Sequence, residues 1–135
     1  MALDLYLQKD ASLPETSENH FLAFEDNGYF WFLHEFFADL TNETGRMIDL
    51  YDDTFFEGGN LDLLERTVKD ARKVISEKPD VWEEFIGTIV YKGERKVEKR
   101  FSTVYRKELS MILDKLEQGI IEAKKKNLGI FFLGD

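Results

Sequence analysis

Apolar and polar positions alternate at the start of the chain: Leu3, Leu5 and Leu7 are interleaved with Asp4 and Tyr6. A period of two predicts a strand with one buried face. A polar loop, "ASLPETSEN", separates it from "HFLAF", a second short strand, and "EDNG" turns the chain. The period then changes. In "GYFWFLHEFFADLTNETG", Tyr29, Phe32, Leu33, Phe36 and Leu40 fall on one helical stripe, with His34, Glu35, Asp39 and Asn42 outside it. Asp26 or Asn27 is placed to cap this helix and Gly45 to end it. Trp31 lies about half a turn from the stripe centre: either the helix starts after it, with the preceding aromatics in a strand, which their strand propensity favours, or the indole lies on the far face and serves a second contact.

"RMIDLYDDTFF" alternates poorly and predicts an extended segment or short hairpin, and Gly58 and Gly59 allow a sharp bend after it. Asn60 is a suitable N-cap for a second helix with a buried stripe of Leu61, Leu64, Val68, Ala71 and Ile75, which Pro79 stops. "DVWEEF" reads as one further helical turn. Thr88 to Tyr91 and Val97 to Thr103, with Lys92-Gly93 as the turn, read as a hairpin or as a strand plus an extended arm. A third helix carries Leu109, Ile112, Leu113, Leu116, Ile120 and Ala123 on its core face, with Lys124, Lys125 and Lys126 at the C-terminal end of its dipole. "LGIFFL" is the almost wholly apolar run expected of a strand buried on both faces. Together these elements predict an α+β fold in one domain, residues 1–135: a small mixed or antiparallel sheet, about three helices packed mainly on one face, and the C-terminal strand central.

The 135 residues suit a single core, and 43% of them are apolar. There is no cysteine, which removes disulfides, thiolate nucleophiles and Cys-ligated zinc together. The N-terminus lacks the basic start and apolar run of a signal peptide, and no stretch approaches the length of a membrane span. A cytoplasmic location is the expectation. Charge is the more informative property. Residues 1–65 hold 15 acidic and 2 basic side chains, a net of −13, while residues 66–135 carry +4. This asymmetry argues against nucleic acid as a partner, because phosphate binding needs clustered cations. The basic run Lys92, Arg95, Lys96, Lys99 and Arg100 is interrupted by Glu94 and Glu98, so it reads as a solvated hairpin. Self-association, the acidic half of one copy meeting the basic arm of another, is a further expectation and would give a homodimer.

The segment "IDLYDDTFFEGGN" concentrates the acidity. As a calcium loop starting at Asp49 it lacks the central Gly and the terminal bidentate Glu. Asp52, Asp53 and Glu57 could supply the few protein ligands of a magnesium site, so a metal-dependent or carboxylate enzyme built on Asp49–Glu57 is the alternative reading. His20 and His34, fourteen residues apart, have no zinc spacing. No serine lies in a nucleophile elbow, and Gly58-Gly59 belongs to no phosphate loop. No catalytic residue, metal ligand or cofactor is therefore assigned. What the pattern favours is a binding surface without enzymatic activity. Asp49, Asp52, Asp53 and Glu57 would steer and orient a basic protein, and Tyr51 and Phe55, or its neighbour Phe56, would add apolar contact.

The runs "GYFWFL", "ETGRMIDLYDDTFFEGGNL", "ARKVISEKPDVWEEFIGT" and "GIFFLGD" resemble a group of small uncharacterised bacterial proteins, over most of residues 20–135. In size, acidity and cytoplasmic character the chain is similar to the immunity proteins of bacterial toxin systems. That resemblance implies an inhibitor that binds a toxin domain and catalyses nothing.

Overall fold

The computed structural model describes residues 2–93 and 95–135; Glu94, which interrupts the basic run, lies outside them. Strand β1 (Ala2–Gln8) pairs antiparallel with β2 (His20–Glu25) on one side and with the C-terminal strand β6 (Gly129–Leu133) on the other. A three-residue strand β3 (Thr54–Phe56) completes the sheet against β6, giving the order β2-β1-β6-β3, antiparallel throughout. The leucine alternation of β1 sets which face is buried. Leu3 and Leu5 are fully buried and lie opposite Phe24 and Leu22 of β2. Residues of matching parity in β6 and β3, Ile130, Phe132 and Phe56, join the same core.

Three helices supply the rest of that core: α1 (Gly28–Thr44), α2 (Gly59–Ser76) and α3 (Arg106–Lys126). Helices α1 and α3 contact the sheet, and α2 packs against both of them. Leu61, Leu64, Val68, Ala71 and Ile75 of α2 are buried, as are Leu109, Leu113, Leu116, Ile120 and Ala123 of α3. Arg72 ties the two helices together at the surface, reaching Asp114 at 2.7 Å and Glu117 at 3.3 Å. No helix among the described residues is long and apolar enough to cross a membrane.

The structure departs from the sequence reading at three helix or strand boundaries. Helix α1 begins at Gly28, not after Trp31. Asn27 caps it by accepting from the Tyr29 amide at 3.1 Å, and the Trp31 indole donates to Asp26 at 2.7 Å. Its deeply buried positions include Phe30 and Phe37, where the stripe had Tyr29 and Phe36, which are only partly buried. The reason is that α1 serves two partners. Phe30 and Phe37 meet Phe24 of the sheet edge-on, while Phe32 meets Trp82 of a separate hairpin at 5.4 Å. A single-stripe rule assumes one partner. Gly58, not Asn60, occupies the N-cap of α2, with a positive φ of 55° and no side-chain capping bond.

The third departure is the largest. "DVWEEF", residues 80–85, is not a helical turn. From Val81 onward it forms the first half of β4 (Val81–Val90), which pairs antiparallel with β5 (Val97–Tyr105) in a two-stranded sheet of its own. Trp82 and Val104 turn inward beneath α1, and the residues between them alternate with exposed ones. A β-bulge between Phe85 and Gly87 adds one residue to β4 and shifts its alternation by one.

Candidate functional site

The acidic segment joins the end of α1 to the edge strand β3. Its path follows from two buried anchors: Ile48 and Leu50 insert into the core, so Met47, Asp49 and Tyr51 point away from it. The chain then reaches Asp52 and Asp53, both exposed, enters β3, and leaves through exposed Glu57. Two of the four carboxylates organise the loop. Asp49 accepts from the Tyr51 amide at 3.0 Å, closing an Asx turn. Asp53 accepts from the Gly134 amide at 3.0 Å, and the Asp135 amide donates to the Leu50 carbonyl at 2.8 Å. The last two residues of the chain thus strap the loop in place.

Phe55 corrects the sequence reading. It is 6% exposed and Phe56 is wholly buried, so neither offers contact to a visitor. Adjacent strand residues face opposite sides of a sheet. Phe56 enters the helix-side core beside Phe132, and Phe55 packs against Phe131 on the far face at 6.4 Å between ring centroids. The apolar part of the exposed segment is instead Tyr51 and Met47, each about half exposed.

The acids between Glu35 and Glu65 divide into two electrostatic populations. Those near α2 are compensated: Glu43 pairs with Arg66, and Lys124 from α3 bridges Asp62 and Glu65. The hydrogen bond to Asp62, foremost, and the charge of Glu65 hold the Lys124 ammonium above the ordinary lysine value. Among the described residues, Asp49, Asp52, Asp53 and Glu57 have no such cation. Cations of the back half therefore pair with Glu43, Asp62 and Glu65, while among the described residues the loop acids, like Glu35 and Asp39 of α1, have no such pair.

Metal chemistry finds no ligand set here. Among the described residues no group of three or more His, Asp or Glu side chains converges closely enough to hold an ion. The histidines stand apart: His20 bonds Asp4 at 2.9 Å on an edge strand, while His34 packs against Trp31 and Phe30. A cleft of about 440 Å³ lies between α1 and α2, lined in part by Asp39, Glu43, Arg66 and Asp70 and away from the acidic loop. Comparison of the chain with protein-family models, with curated proteins and with solved structures finds no match.

Proposed function

We propose that this chain is a non-enzymatic protein-binding domain that docks a basic partner through the segment from Met47 to Glu57. An immunity-type inhibitor of a toxin domain, acting in the bacterial cytoplasm, is the form of that function the sequence resemblance implies. One observation carries the reading: four carboxylates on one short, strapped segment lack a compensating cation among the described residues and share that segment with two half-exposed apolar side chains, Tyr51 and Met47. Uncompensated charge projects a field that steers an oppositely charged protein, and an apolar centre supplies the short-range contact. Loop pre-organisation by Asp49, Asp53 and the C-terminal strap lowers the ordering cost of binding.

The test separates steering from folding by its choice of residues. Asp49 and Asp53 hold backbone, so the informative variant is Asp52→Lys with Glu57→Lys. Purified basic toxin domains encoded beside this gene are immobilised, and association of the wild-type chain is followed at low and high salt. The expected result is association that slows with salt and falls by about tenfold or more in the double variant. Association unchanged by both salt and charge reversal would remove this face from the function.

A further inference from the structure

The β4–β5 hairpin carries an outward face whose composition follows from its register. Opposed residues in an antiparallel pair project to the same side. The pairs Val81–Tyr105, Glu83–Thr103, Phe85–Phe101, Thr88–Lys99 and Val90–Val97 therefore form five successive rows on one side. The bulge keeps the last two rows aligned with the first three. Every residue in these rows is exposed, and the six apolar ones show between 48% and 71% of their surface. The two central rings touch edge-on at 5.8 Å, so they form a ridge in the middle of the face. Near the base the inward face is covered by α1 through Trp82 and Val104. Nothing among the described residues covers the outward one. The exposed apolar residues amount to roughly 600 Å² on this side, at the top of the range for a monomer's largest patch.

The order of the rows identifies the occupant. From base to tip they run apolar, acidic with threonine, aromatic, basic with threonine, apolar. A half-turn about an axis through the Phe85–Phe101 row superimposes apolar on apolar and aromatic on aromatic. It also brings the Glu83 row over the Lys99 row. A two-fold interface requires this kind of self-complementarity, in which residue i meets j and j meets i. We infer that the outward face of the β4–β5 hairpin is a homodimer interface, with two hairpins stacked face to face and running in opposite directions. Glu83 is held for this role by the Thr103 hydroxyl, which donates to it at 2.6 Å. Two such faces bury about 1,200 Å² or more in total, within the range of a specific interface.

The interface is tested by the mass of the intact chain in solution, by sedimentation and light scattering at about 100 µM, where an interface of this size is populated. The expected mass is twice 15.8 kDa. Phe101→Glu puts two charges at the axis and should give a monomer with an unchanged circular dichroism spectrum. Val90→Lys, at the most exposed position of the face, should weaken the dimer in the same way without touching the body of the fold. The charge pair gives the sharper result. Glu83→Lys alone and Lys99→Glu alone should each weaken dimerisation about tenfold, and the two together should restore it. Restoration must act between copies, because these residues lie two rows apart within one hairpin. A monomer at this concentration, a dimer that survives Phe101→Glu, or a charge swap that fails to recover association would each overturn the assignment.

Discussion

Replacing Gly129 with alanine tests how tightly β6 is held between its neighbours. A Cβ at this position would sit 2.3 Å from Cζ and 2.7 Å from Cε1 of Phe55, and 2.6 Å from the carbonyl oxygen of Phe56. A ring can tilt, but that carbonyl belongs to the strand paired with β6 at Phe56–Ile130. To reach ordinary contact, β3 must withdraw by most of an ångström. Overpacking of this kind costs about 1–3 kcal/mol, and weakening the short β3–β6 ladder adds about 1 kcal/mol. The loss of glycine's freedom in the unfolded chain returns about 0.4–1 kcal/mol. The expected outcome is a net destabilisation of about 2 kcal/mol, or a melting temperature lower by about 6–10 °C for a domain of this length. Urea unfolding followed by circular dichroism measures it through the midpoint, with the slope unchanged. Adding Phe55→Leu should recover part of the loss by clearing the ring, and the carbonyl contact should prevent full recovery. A change below about 0.5 kcal/mol for Gly129→Ala would refute the close packing of β3 on β6, and with it the fixed position of the acidic loop that β3 anchors.

Gly119→Ala offers a contrast within one chain. Its Cβ would approach the Phe21 ring at 2.3 Å, but the atoms met are the far end of a half-buried side chain beside an open cleft. With about 1 kcal/mol of helix propensity gained in α3, the expected change is within about 0.5 kcal/mol of zero in the same urea assay. Tyr29 gives the pH test. Burial first, then the bond its hydroxyl donates to Glu108, raise its phenol above the ordinary value of 10.0. A raised folded-state value means a contribution present below the unfolded value and lost as pH rises through the folded one. The stability difference between wild type and Tyr29→Phe should therefore shrink above pH 10.0, and phenolate absorbance should show a late-titrating tyrosine that the variant lacks.

The sequence was legible where one partner decides an element's character. Leu3 and Leu5 alternate because only one face of β1 meets the helices, and "GIFFL" is apolar throughout because β6 is interior, with Phe131 packed on one side and Phe132 on the other. It misled where two partners compete. The helix α1 serves both a sheet and a hairpin, so its buried face is wider than a stripe and Trp31 fits within the helix. "DVWEEF" mixes two helix formers, Glu83 and Glu84, with three strand formers, and pairing with β5, sixteen or more residues onward, makes it extended. Of the candidate site, the exposure of Asp52, Asp53 and Glu57 could be expected from their charge. The burial of Phe55 depends on Phe131, far away in the chain, and no local pattern contains it. Compensation of Asp62 and Glu65 by Lys124 is likewise a property of helix packing alone.

The interior position of β6 has a kinetic consequence. Strands β1 and β3 share no hydrogen bond with one another; each is joined to the other through the final strand. Synthesis therefore delivers β6 after the strands it joins, and a growing chain holds two open strand edges until β6 emerges. Closing a loop of more than 120 residues between β1 and β6 is slow, as topologies rich in distant pairings are. In that interval the unfinished edges invite strand exchange between nascent copies.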